Sequence, residues 1–264
     1  FYQIAKDAGA RDLLVLSGDS HSYWTNSLFD APGLAMGIEL GATGISSPRS
    51  LLALGAQGMQ RFDELNAANN KEIEWTDGTW NPVTGCTKIS LGCDNCYAET
   101  FAERFRGVSG HHFEHGFDLQ LRPDRLAQPR TWKGRKVVFV NSMSDLFHKE
   151  IPLSYIDQVF DVMEECSQHV FQILTKRSSL MRDYAKSRYS ERKAPKHIWL
   201  GTTVENAQAK SRIDHLRDTP AGIRFLSLEP LLGALGTLDL TDIDWAIVGG
   251  ESGAKARPMK EEWV

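Results

Sequence analysis

Residues 137–177 read VVFVNSMSDLFHKEIPLSYIDQVFDVMEECSQHVFQILTKR, and the order of patterns within them decides the fold. Val137–Val140 is a short apolar run without alternation, which suits a strand buried on both faces. Ile156, Val159, Phe160 and Met163 then recur at helical spacing, with Ser154 placed to cap the helix. Val170–Leu174 (VFQIL) repeats the first run. Strand, helix and strand in immediate succession predict a parallel pair joined by a right-handed crossover.

Downstream the same rhythm continues. A helical stretch around Leu180, Met181 and Tyr184 precedes the apolar run His197–Leu200. Ala209, Ile213 and Leu216 then mark another helix, and Arg224–Leu228 and Trp245–Val248 read as the last two strands. Five short strands separated largely by helices predict an α/β fold with a parallel sheet, extending to a full or partial (β/α) barrel. Each strand ends in a polar cluster, and in such folds the chemistry sits at the carboxyl ends of the strands. The clusters supply Asp145, Lys176 with Arg177, Glu229, and Gly249-Gly250-Glu251 as candidate site residues. Each has a plainer reading. Asp145 and Glu229 suit helix caps, Lys176-Arg177 a solvated pair, and the glycines a turn.

Upstream lies WNPVTGCTKISLGCDNCYAE, residues 80–99, which holds three of the four cysteines. Cys86, Cys93 and Cys96 are spaced C-x6-C-x2-C, a tight cluster that points to metal rather than to a disulfide scaffold. Three thiolates without a nearby fourth ligand suit an iron–sulfur cluster with one open iron. Structural zinc takes four ligands, and His111, His112 or His115 of HHFEH is near enough in sequence to supply one. Past the cysteines, Tyr97, Phe101 and Phe105 outline an amphipathic helix. Trp75 and Trp80 suit core packing ahead of stacking on a base, and His148 reads as a surface residue.

Composition locates a seam. Net charge is −4, so no overall basic field points to nucleic acid, and no apolar run is long enough to span a membrane. Residues 1–70 hold 4 Lys+Arg against 7 Asp+Glu, no cysteine and one Trp, Trp24. NAANNKEIEW then reads as a linker. Within the first segment, Leu13–Leu16 and Met36–Leu40 read as strands, with Tyr2, Ile4, Ala5 and Ala8 on one helical face. So short a segment has only a marginal core of its own. The opening FYQIAKDAG is amphipathic rather than leader-like, so a cytoplasmic protein is expected.

Two resemblances follow from these residues. IEWTDGTWNPVTGC, GCDNCYAE, NSMSDLFH, LTKR, LGTTVEN, SLEPLLG and VGGESGAKARPM resemble, in order, the phage gene-product thirty-seven / sixty-eight family, a radical S-adenosylmethionine (SAM)-like branch, over residues 71–264. That resemblance implies a partial (β/α) barrel of radical-SAM type, truncated at its C-terminus. It implies a [4Fe–4S] cluster on Cys86, Cys93 and Cys96 whose open iron binds SAM. A one-electron donor, a 5′-deoxyadenosyl radical and a substrate, with nucleic acid or nucleotide as a candidate class, complete the implied chemistry. Gly249, Gly250 and Glu251 resemble the GGE element that contacts the SAM amine, although here it follows the last strand; Asp145, Lys176 and Glu229 are the catalytic candidates. The cysteine spacing also departs from the usual C-x3-C-x2-C.

LLVLSGDSHSYWTNSL and GIELGATGISSPRS resemble the C-terminal end of alkaline phosphatase D-like metallophosphatases. By that resemblance Asp19 and His21 belong to a remnant site for a divalent metal, within a small incomplete α/β fragment at residues 1–70. The family's other metal motifs are missing from the chain, so no phosphatase activity is expected. The alternative functions are therefore that phosphatase and a non-catalytic zinc module.

Overall fold

The computed structural model describes residues 76–251 and 255–263, together with the backbone of three strands at 13–18, 24–30 and 34–41. The expected helical face at Tyr2–Ala8, the pair Asp19 and His21, and Trp75 lie outside the described residues.

The described residues form eleven strands. The first three are β1 (Leu13–Gly18), β2 (Trp24–Asp30) and β3 (Leu34–Gly41). Two short ones, β4 (Gly78–Trp80) and β5 (Val83–Thr84), lead into the cysteine loop, and β6 (Gln120–Leu121) returns antiparallel to β5. The remaining five are β7 (Val137–Val140), β8 (Val170–Thr175), β9 (Ile198–Thr203), β10 (Ile223–Leu228) and β11 (Trp245–Gly249). These five match the runs read from the sequence to within three residues at each end. Gly78–Trp80 was too short to carry a periodic signal.

The main sheet runs β4-β7-β8-β9-β10-β11, every pair parallel, and continues through β1 and β3 to an antiparallel β2. From β7 to β11 each strand therefore lies beside its sequential neighbour, and β4 lies beside β7. That single direction of winding, with right-handed crossovers, puts all connecting helices on one face. Extension into a full or partial barrel was expected. Among the described residues the pairing ends at β4 and β2 without joining them, so the sheet is open.

The sequence alternation separates the two faces. Val138, Val140, Phe171, Ile173, Leu200, Leu226, Leu228, Ala246 and Val248 all enter one core cluster beneath the helices. Two short helices, α1 (Tyr97–Glu103) and α2 (Pro123–Leu126), precede α3 (Leu153–Glu165), which buries Ile156, Val159, Phe160 and Met163 there, as their spacing predicts. It is entered from Pro152 with no side-chain cap, so Ser154 lies within the first turn instead of capping it. Helix α4 (Ser178–Arg188) buries Met181 and Tyr184 but leaves Leu180 exposed. Arg188 at its end bonds Asp157, Asp161 and Glu164, tying α4 to α3. Ala209, Ile213 and Leu216, the last two on α5 (Ser211–Arg217), are buried as expected.

The opposite face carries a smaller cluster. Phe225, Trp245 and Ile247 pack with Leu174, Trp199 and Ile223. Phe225 stacks on Trp245 at 4.9 Å, and Trp199 meets Trp245 edge-on at 5.7 Å. Gly201 makes room for this plug, because a Cβ there would sit 2.5 Å from the Phe225 ring. The aromatic layer fills the sheet's open face toward the amino ends of the strands and leaves the carboxyl ends free.

Candidate functional site

Above the plug lies a cavity of two adjoining lobes, of about 170 and 240 Å³. Phe139, Leu174 and Thr203, each from the helix-free face of its strand, line both lobes. Ser227 and Ile247 extend the second. The cavity thus sits at the carboxyl ends of consecutive parallel strands, over an apolar floor.

The cysteine loop forms the wall of the first lobe. Cys86, Cys93 and Cys96 are unpaired and half-buried, and all three face this lobe. Gly85 starts the loop at φ +80°, with its N–H on the Met143 carbonyl at 2.9 Å. A Cβ at this position would fall 2.1 Å from the Asp118 carbonyl oxygen, so only glycine fits. After Cys96 the chain enters α1 (Tyr97–Glu103), which buries Ala98 and Ala102. The aromatic face expected here is turned outward. Tyr97 and Phe101 are exposed, and Phe105 lies beyond the helix in a ring cluster with Phe101, His111 and Phe113. Tyr97 still reaches both lobes, donating its hydroxyl to the Ser142 carbonyl.

Two polar networks hold the loop against the sheet. In the first, the buried Asp145 carboxylate accepts from the Thr175 hydroxyl at 2.7 Å and from Arg177 at 2.9 Å. Arg177 donates onward to the Cys86 sulfur at 3.5 Å and to the Thr87 carbonyl at 2.9 Å. Arg177 is therefore a buried ion-pair member rather than a solvated cation. His148, expected on the surface, is also buried, with its ring 2.8 Å from the Thr87 hydroxyl. Burial pushes the Cys86 thiol up against the pull of Arg177.

The second network is a clasp. Glu251 accepts from Asn95 Nδ2 at 2.8 Å, from the Arg257 backbone N–H at 2.9 Å, and from both ends of the Arg257 guanidinium. Arg257 also bonds Asp94 and the Leu91 carbonyl, so one side chain joins the end of β11 to the turn that carries Cys93. The guanidinium beside it, with Asn95, holds the Glu251 carboxyl down to about 2. Its acceptor capacity, expected to face a SAM amine, is directed here at Arg257 and Asn95. Gly249, the last residue of β11, accepts from Leu231 N–H, while Gly250 lines the second lobe.

Lys176 lines both lobes, with Nζ 3.4 Å from the Thr203 hydroxyl. Glu229, at a cis peptide with Pro230, lines the second lobe. Beneath the loop, Gly92 lies against Lys176 and against Glu205, which is fully buried and paired with Arg212 at 2.7 Å. Of the candidates, Lys176 lines both lobes, Glu229 the second, and Asp145 the first, where it is paired with Arg177. Trp80 is core, with Nε1 on the Arg125 carbonyl, and Cys166 is buried away from the loop in the same core.

Sequence reasoning left Arg257, Asn95 and Thr87 without roles. All three lie inside quoted motifs, yet their partners are remote in sequence, so no spacing signalled them. Two of the three histidines offered as a fourth zinc ligand have ring partners of their own. His111 stacks on Phe105, its Nδ1 accepts from Phe113 N–H, and His112 meets Phe113 edge-on. Among the described residues no three His, Cys, Asp or Glu side chains converge as the ligands of one ion do.

A family model described as "Protein of unknown function (DUF5131)" matches residues 70–264, about three quarters of the chain, and the chain belongs to that family. No curated protein and no solved structure matches it. No helix among the described residues is long and apolar enough to cross a membrane.

Proposed function

We propose that this member of a family of unknown function is an iron–sulfur enzyme of radical-SAM type, working in the two-lobed cavity at the carboxyl ends of β7–β11. The observation that carries the reading is that Cys86, Cys93 and Cys96 line the same lobe, with Lys176 reaching from it into the next. The three thiols would hold three irons of a [4Fe–4S] cluster and leave the fourth open. When bound, such a cluster supplies the electron that splits SAM into methionine and a 5′-deoxyadenosyl radical, which takes a hydrogen atom from substrate.

The chain's own residues supply positioning and exclusion. Phe139, Leu174 and Ile247 form a dry floor, closed from below by the Trp199–Phe225–Trp245 plug, which keeps water from a reactive intermediate. Lys176 supplies a cation between the lobes for a carboxylate or another anionic group, and Glu229 a carboxylate for an amine or hydroxyl. The Glu251–Arg257 clasp and the Asp145–Arg177 pair fix the loop at its two ends.

Anaerobic reconstitution of the full chain with iron and sulfide tests this. The expected result is a brown protein whose visible absorbance is bleached by dithionite, and which then yields 5′-deoxyadenosine from SAM. Replacing Cys86, Cys93 or Cys96 with Ala should abolish both. A colourless protein retaining one zinc per chain would overturn the reading.

A further inference from the structure

We infer that Arg177, held by Asp145, is a positioning residue that raises the reduction potential of the cluster through the Cys86 sulfur, an inference resting on the iron–sulfur reading above. The guanidinium lies between two groups of negative character. Its Nη1 is 2.9 Å from Asp145 and 3.5 Å from Cys86 Sγ, while its other end donates to Thr87 at the carbonyl and, at 3.2 Å, the hydroxyl. Both charged side chains are less than a tenth exposed.

Nothing in this arrangement leaves Arg177 free to swing away. Asp145 is fixed by the Thr175 hydroxyl and by the backbone N–H groups of Phe147 and Lys176. Thr87 is in turn fixed by His148. The His148 Nδ1 accepts from Glu150 N–H, so Nε2 carries the proton and donates to the Thr87 hydroxyl at 2.8 Å. NSMSDLFH and LTKR, which stand apart in sequence, thus build one buried cradle around the first cysteine.

The chemistry follows from charge. Reduction adds one electron to the cluster, supplied by an external one-electron donor, and concentrates negative charge on its sulfurs. A cationic hydrogen-bond donor on a ligating sulfur stabilises that reduced form, and burial keeps water from screening it. Cys93 has a neutral neighbour instead, the Ser90 hydroxyl at 4.0 Å. Between these two sulfurs, the charged donor is on Cys86.

Redox titration of the anaerobically reconstituted chain, read by visible absorbance and by electron paramagnetic resonance, tests the assignment. Arg177→Gln should lower the potential, cutting the reduced-to-oxidised ratio about tenfold at a fixed potential, or about 59 mV for one electron. Arg177→Lys should fall between Arg177→Gln and the native chain. Asp145→Asn should move the potential the opposite way, because it removes the negative charge that partly neutralises the guanidinium. A merely structural pair would shift both variants alike, through lost iron. Full iron content with an unchanged ratio in Arg177→Gln overturns the assignment and leaves the functional reading standing. Iron lost from Arg177→Gln, with native potentials in Arg177→Lys and Asp145→Asn, also overturns it. Failure of the native chain to form any cluster removes the functional reading and this assignment together.

Discussion

The clasp between β11 and the cysteine loop makes Glu251 a stability residue, and Glu251→Gln exposes that role. The substitution keeps the side chain's shape and removes its charge. Its carboxyl sits at about 2 against an ordinary 4.5. That difference corresponds to about 3 kcal/mol favouring the ionised, folded form. The Arg257 side chain is 34% exposed, so water screens part of the attraction and the expected loss is ~1–2 kcal/mol. In equilibrium urea unfolding followed by tryptophan fluorescence, the midpoint should fall by roughly 0.5–1 M at an unchanged slope.

Arg257→Met should cost more, about 2–3 kcal/mol, because it leaves a buried carboxylate with only Asn95 and a backbone N–H to meet it. The double variant should be no less stable than Arg257→Met alone. The pH dependence has a definite sign. A carboxyl depressed in the folded state contributes fully above its unfolded value of 4.5, and the contribution is lost as pH falls toward about 2. The gap between the native chain and Glu251→Gln should therefore narrow with acidification. Equal stability at neutral pH, or a gap that stays constant down to about pH 3, would refute the clasp.

Two further outcomes bear on the sheet and the loop. Gly201→Ala forces a Cβ to within 2.5 Å of the Phe225 ring, so thermal or urea unfolding should show a loss of about 1–3 kcal/mol. Phe225→Leu in the same chain should recover much of that loss, and a cost that stays additive would count against the plug. Gly85→Ala combines a positive φ with a clash against the Asp118 carbonyl, so it should cost about 3 kcal/mol or more. Iron content after reconstitution should fall with it, and normal iron loading would show that the loop does not depend on this turn.

Val137–Val140 and Val170–Leu174 announced themselves as buried strands because both faces of these strands are largely apolar, one under the helices and the other flooring the cavity. Ile156, Val159, Phe160 and Met163 were equally legible, since a helix that buries one face must repeat its apolar residues every third or fourth position. The same logic failed for Tyr97, Phe101 and Phe105. Helical spacing shows that residues share a face, not that the face is covered, and here the small Ala98 and Ala102 point inward. Ser154 had the chemistry of a cap but sits two residues too late, because Pro152 makes the entry to α3. Leu180 followed the helical rhythm but lies outside the stripe that meets the sheet.

Sequence alone determined the strand–helix alternation, the cysteine cluster and the position of polar residues after each strand, all of which depend on local order along the chain. Tertiary structure decided what those polar residues do. Asp145 was read as a site carboxylate or a helix cap, Arg177 as half of a solvated pair and His148 as a surface imidazole, yet all three are buried together around Cys86 and Thr87. Glu251 was read as a ligand contact, and Arg257, six residues on, takes its charge while gripping a turn over a hundred and fifty positions away. Whether a charged side chain faces solvent, a ligand or another charge depends on the dielectric and the partners that folding brings to it. No pattern within one segment carries that information.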